Sequence, residues 1–197
     1  MTLWLKTRRA VSYTVVMAGV VVTVGALGDL TAPVPALIAA RGLQIPVALL
    51  APLALSIVVG YGLTAGDRSL ESVAVRPIHV MDTAYVLVAA GSFLGAAALL
   101  QAAGQTDLGL AAGRNSLGFA GLLLIGRAAL GGNAAPLVPV ANTILFAFFG
   151  ADPSGEPRWW AWMVTPQADE LSWLVAVLTL AAGVSLSLVG WRSRYGT

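Results

Sequence analysis

Six apolar runs separated by short polar stretches lie along the chain, at about 10–28, 45–63, 80–100, 110–130, 134–149 and 171–191. A helix needs ~20 mostly apolar residues to cross the hydrocarbon core of a bilayer. The run from Leu171 to Trp191 is the cleanest, and as a helix it would be ~31 Å long. The run at 134–149 is short and carries Pro136 and Pro139, and the run at 45–63 carries Pro46 and Pro52. Proline is tolerated in spans where neighbouring helices or waters take up the freed carbonyl groups. The pattern predicts an all-α polytopic membrane protein: six transmembrane helices in a single domain over residues 1–197. Leu3, Trp4 and Leu5 beside Lys6, Arg8 and Arg9 predict a short amphipathic helix at the interface before the first span. The first run exceeds the ~7–15 residues of a signal-peptide core, so it reads as a retained helix. Residues 29–44 fit either an interfacial helix or a loop.

Composition agrees with this picture. Hydrophobic residues make up 58% of the chain, charged residues 10%, and the mean hydropathy is +0.84; soluble domains carry about 25% charged residues. The net charge of +2 is not a nucleic-acid signature here, because the basic residues flank apolar runs and set orientation. With both ends on one side, eight of the eleven basic residues share that side: Lys6, Arg8, Arg9, Arg68, Arg76, Arg127, Arg192 and Arg194. Arg41, Arg114 and Arg158 fall opposite. The positive-inside rule then predicts a multi-pass protein of the cell inner (plasma) membrane with both termini cytoplasmic. The chain has no cysteine, which excludes disulfides and thiolate metal sites.

One stretch breaks the apolar pattern. Residues 66–82, GDRSLESVAVRPIHVMD, hold Asp67, Arg68, Glu71, Arg76, Asp82 and the only histidine, His79. A charge at the centre of a span costs ~2.5–3.5 kcal/mol, so residues 67–76 must leave the hydrocarbon. The stretch is patterned as a helix. Asp67 is a good N-cap, Glu71 lies near the positive end of the helix dipole, and Leu70, Val73 and Ala74 form one apolar face. Pro77 ends it. A two-turn amphipathic helix is expected on the cytoplasmic side between spans two and three.

Leu70-Glu71-Ser72-Val73-Ala74-Val75-Arg76-Pro77 resembles the L-E-x-L-x-x-x-P stretch of permeases in ABC-2 type exporters. Ala65-Gly66-Asp67-Arg68-Ser69 stands where that family often has an acidic-basic-acidic run and Gly-Thr. The layout is similar too: an amphipathic N-terminal helix, six spans, and a longer outer segment before span six. Arg114-Asn115-Ser116-Leu117-Gly118-Phe119 and Pro157-Arg158-Trp159-Trp160-Ala161-Trp162 also look like small actinobacterial membrane proteins of this class. The resemblance implies that Asp67, Arg68, Leu70, Glu71, Val73, Ala74, Arg76 and Pro77 form a coupling helix that docks on an ABC ATPase subunit. It further implies a second permease subunit, in a homo- or heterodimer. ATP and Mg would be bound by the partner ATPase, with no cofactor on this chain.

Other chemistry is sparse. There is no G-x-x-x-x-G-K-[ST] to cradle phosphates, no H-E-x-x-H, and no second histidine for a metal or nucleophile site. Ser116 has no histidine partner within a span, so an intramembrane enzyme is not expected. Asp82, Arg127 and Asn142 are the polar residues expected within or at the edge of spans, and are candidates for a pathway. Asp82 and Arg127 fall at the same membrane face, where pairing or snorkelling satisfies both. Trp159, Trp160, Trp162 and Trp173 are expected to form an outer interfacial aromatic belt, with a re-entrant element as the sharper reading. Gly91 and Gly95 match GxxxG. With few charges in the spans, a hydrophobic or amphipathic substrate is expected. The alternative function is a non-transporting membrane anchor or regulatory subunit of another complex.

Overall fold

The structure is a computed structural model that describes residues 10–34, 43–64, 78–154, 156–158, 160–165 and 169–195. The chain order is α1 (Ala10–Leu27), β1 (Thr31–Val34), β2 (Leu43–Pro46), α2 (Val47–Thr64), α3 (Ile78–Ala102), α4 (Gly109–Leu130), α5 (Leu137–Phe149) and α6 (Glu170–Tyr195). Residues 1–9, where an amphipathic helix is expected, lie outside the described residues, as do 65–77 and Trp159.

Each expected span is matched by a helix with shifted ends. Ile45 and Pro46 do not begin α2. They close a two-stranded antiparallel hairpin in which Thr31 pairs with Pro46 and Val34 with Leu43. The first N–H groups of a helix have no partner within it, and the α1–β1 turn supplies acceptors for two here. Val47 N–H donates to the Leu30 carbonyl at 2.9 Å and Ala48 N–H to the Gly28 carbonyl at 3.2 Å. Residues 31–34 and 43–46 are therefore paired strands, not an interfacial helix. At the start of α4, Thr106 accepts from Leu108 N–H at 3.2 Å and donates to Asp29 at 2.8 Å, tying the α3–α4 turn to the α1–β1 turn. The Gln101 carboxamide accepts from Leu110 N–H at 2.7 Å. α5 starts at Leu137, after Pro136; Pro139 lies in its first turn, where a missing N–H costs nothing.

Among the described residues, only three of the six expected spans are helices long and apolar enough to cross a membrane: Val47–Thr64, Ile78–Ala102 and residues 170–189 of α6. The apolar parts of α1 and α5 are shorter; the 13 residues of α5 reach only ~20 Å. α4 is long enough, with 22 residues, but carries Arg114, Asn115, Ser116 and Arg127. Its position accounts for that. α4 packs against α2, α3, α5 and α6, and most of its residues are buried. A helix shielded by other helices can carry polar groups that a lipid-facing helix cannot.

A small apolar cluster of Ile45, Leu49, Ala111 and Ala151 and two larger ones hold the bundle. One joins Tyr13, Val24, Leu55, Val59, Val86, Phe93, Leu123 and Leu124 across α1 to α4. In it the Tyr13 hydroxyl donates to the Ala89 carbonyl at 2.7 Å. The other gathers Phe119, Phe146, Trp162, Met163 and Ala176. α4 and α6 make the most extensive helix contact, at Gly121 and Gly183. A Cβ on Gly121 would stand 2.5 Å from the Thr179 backbone, and one on Gly183 would stand 2.5 Å from the Gly121 carbonyl oxygen. Gly91 and Gly95 differ: they face outward, with nothing within 4 Å of an added Cβ.

Candidate functional site

The polar side chains of the interior gather along α4 at two levels, 13 residues and ~20 Å apart, with a small cavity between them. The upper level is at the hairpin end of the bundle. Arg114 and Asn115 are both 0% exposed. Arg114, expected near the outer end of span four and counted with the outer basic residues, lies inside the helix, within hydrogen-bonding reach of Asn115 and Thr165 oxygens. Its Nε and Nη2 donate to Asn115 Oδ1 at 3.3 and 3.2 Å, and Nη2 also donates to the Thr165 carbonyl at 3.2 Å. Asn115 Nδ2 donates to the Leu49 carbonyl at 3.0 Å and to the Met163 carbonyl at 2.9 Å. A buried polar side chain is tolerable only when its donors are met, and here carbonyls of α2 and of the α5–α6 loop meet them. Ser116 donates to the Gly113 carbonyl at 2.7 Å and to the Ala90 carbonyl at 3.1 Å, which marks it as a packing residue.

The α5–α6 loop reaches this cluster because its polar turn closes early. Asp152 accepts from the N–H of Ser154 and of Glu156 at 2.9 and 3.0 Å, and Arg158 N–H returns to the Gly150 carbonyl at 2.8 Å. Residues 160–165 then enter the bundle. Trp162 is 5% exposed, with its ring 6.2 Å from Phe119 and 6.1 Å from Phe146. Trp160 lies 5.4 Å from Phe146 and Trp173 is half-buried. Trp162 therefore departs from the expected interfacial belt. Gly118 makes the room for it, since a Cβ there would stand 2.2 Å from the indole.

The chain leaves this cluster through Asp169, at the start of α6. The Ser172 hydroxyl stands between the Thr165 hydroxyl and the Asp169 carboxylate, to which it donates. Leu171 N–H donates to the same carboxylate at 3.2 Å, as expected of an N-cap. The Ser172 hydroxyl, helped by the Leu171 N–H, holds the Asp169 carboxyl below its ordinary value despite the opposing effect of burial. A depressed folded value means that the carboxylate contributes stability above its unfolded pKa, and that this is lost as pH falls through the folded value. Melting in detergent across pH 7 to 3 should show that acid loss. Ser172→Ala should shrink that loss, because the folded value rises toward the unfolded one, whereas an unchanged acid limb would remove the cap from the account.

The lower level is an ion pair. Arg127 Nη2 meets Asp82 Oδ2 at 2.6 Å; Asp82 is 0% exposed and Arg127 25%. Next to Asp82 in the chain, the Thr83 hydroxyl bonds that of Ser187 of α6 at 2.7 Å. Asp82 lies in the first turns of α3, next in the chain to the stretch that resembles a coupling helix. That stretch, with Asp67, Arg68, Leu70, Glu71, Val73, Ala74, Arg76 and Pro77, lies outside the described residues. Asn142, on α5, donates to Met163 Sδ at 3.2 Å, so it packs on the α5–α6 loop, apart from Asp82 and Arg127.

Between the levels lies a cavity of about 20 Å³ lined by Tyr13, Pro52, Ser56, Phe93, Ser116 and Leu123 among others. That is room for about one water-sized group. Pro52, fully buried in α2, has no N–H to give the preceding turn. Comparison of the chain with protein-family models, curated proteins and solved structures finds no match.

Proposed function

We propose that the chain is the membrane-spanning permease subunit of an ABC-2 type exporter, moving a hydrophobic or amphipathic substrate with ATP hydrolysed on a separate chain. The observation that carries this reading is the break between α2 and α3. Two helices long enough to span a membrane are separated by a stretch patterned as a short amphipathic helix, Leu70-Glu71-Ser72-Val73-Ala74-Val75-Arg76-Pro77. In this reading α1 to α6 are six spans, both termini are cytoplasmic, and the hairpin and the α5–α6 loop face outward. Two permease subunits flank a pathway, and the ATPases dock on residues 67–77. Their ATP-driven closure shifts a two-state equilibrium between inward- and outward-open forms. The Asp82–Arg127 pair ties the first turns of α3 to the last turn of α4, so a push on residues 67–77 reaches the central helix directly.

The scarcity of charged residues in the apolar helices supports a hydrophobic or amphipathic cargo. A second reading, a non-transporting anchor or regulatory subunit, draws on the shortness of α5 and the smallness of the cavity. Substitution separates the two. Glu71→Ala with Arg76→Ala should abolish ATP-linked transport while leaving membrane insertion normal. Undiminished transport in that variant removes the coupling role from residues 67–77.

A further inference from the structure

Residues 160–165 enter the bundle between α4, α5 and α6, and they are held there by α4 itself. Trp162 fills the place over Gly118, and the Met163 and Thr165 carbonyls are caught by Asn115 and Arg114. The same Asn115 amide donates to the Leu49 carbonyl in the first turn of α2. A carboxamide NH2 has two N–H donors, and here one goes to α2 and the other to the loop. Its oxygen accepts from Arg114. One side chain thus fastens three elements, α2, α4 and the loop.

The cavity starts next to this fastening. Ser116, which follows Asn115, lines it, and so does Pro52, one turn along α2 from Leu49. Leu53, beside Pro52, packs on the Trp162 cluster. Parting α2 from α4 at the hairpin end would therefore strip a buried carbonyl of its donor and open the seat of Trp162.

We infer that residues 160–165 are a strap that keeps α2 and α4 closed over the cavity at the hairpin end, and that releasing it opens the cavity to water from that end. The use of such an opening rests on the exporter reading. The strap itself is a property of this chain alone.

The absence of cysteine makes the test direct. Ser56→Cys places a single thiol in the cavity wall. Its rate of reaction with a water-soluble maleimide is measured on the purified full chain in detergent. The rate should be slow in the otherwise unaltered chain. It should rise about 5- to 10-fold, the effect of losing a hydrogen bond on an opening equilibrium, in Asn115→Ala, which removes both bridging donors. It should rise similarly in Gly118→Leu, which fills the Trp162 seat and leaves Asn115 in place. Ala97→Cys, fully buried on α3, serves as the control and should stay slow in both backgrounds.

A Ser56→Cys thiol that reacts fast with the strap intact overturns the inference. So does an unchanged rate in both strap variants, or a control thiol that accelerates in step. If the strap variants behave as expected while no ATPase associates with the chain, the strap stands and the exporter reading falls.

Discussion

Arg127→Met lowers the stability of the bundle by about 3–5 kcal/mol, the cost of removing one partner from a buried ion pair, while Asp82→Asn costs about 1–2 kcal/mol. The asymmetry follows from exposure. Asp82 is 0% exposed, and losing Arg127 takes the guanidinium at 2.6 Å away from a fully buried carboxylate. Arg127 is 25% exposed in the last turn of α4, and when Asp82 is neutral its guanidinium can extend to the bundle end. Asn also keeps the shape of Asp and one acceptor. The double variant Asp82→Asn, Arg127→Met should be more stable than Arg127→Met alone, because it removes the buried carboxylate charge together with its guanidinium. Thermal melting of the four proteins in detergent reads this cycle. Equal losses for the two single variants, adding in the double, would mean that the pair contributes nothing as a pair. In the exporter reading the double variant also folds but transports poorly, since the tie between α3 and α4 is gone.

Alanine at Gly121 or Gly183 costs about 3 kcal/mol, near the upper end for overpacking. Most overpacked sites relax by moving a side chain. Here the added Cβ at Gly121 meets the Thr179 carbonyl carbon and oxygen at 2.5 Å and the Leu180 nitrogen at 2.6 Å, all backbone atoms. α4 and α6 must then separate, and the packing of Leu124, 1% exposed, goes with them. Gly91→Ala and Gly95→Ala provide the contrast. Each Cβ enters open space, so the chain should lose nothing and gain about 0.5–1 kcal/mol in helix propensity. Melting points of the four alanine variants decide the matter; a mild effect at Gly121 would show that α4 and α6 pack less closely than described.

The helices were largely legible because an apolar run long enough to span is its own signal. The limits of α1, α3 and α6 follow the runs within a few residues. The hairpin was not legible. Thr31–Val34 and Leu43–Pro46 are four-residue strands with a proline in each and no alternation, and Ile45 and Pro46 looked like the start of a span. Arg114 was counted with the outer-side basic residues, at the outer end of span four, because hydropathy treats a polar side chain as wet. It cannot register that α4 is enclosed by four helices, with carbonyls from Leu49, Met163 and Thr165 serving its polar turn. Trp162 was misjudged in the same way: tryptophan beside arginine suggests a headgroup level, and only the gap at Gly118 reveals an inward seat. The Asp82–Arg127 pair was within reach of the sequence, since both residues fall at the same end of neighbouring helices.

The central claim is that this chain couples to a separate ATPase through residues 67–77. The direct measurement is gentle detergent purification of the tagged full chain from its native membrane, with identification of what remains bound. The account predicts a stoichiometric ATP-hydrolysing subunit, lost when residues 70–77 are scrambled although the protein still inserts. Retention of a different partner, with no ATPase across several detergents, would contradict it.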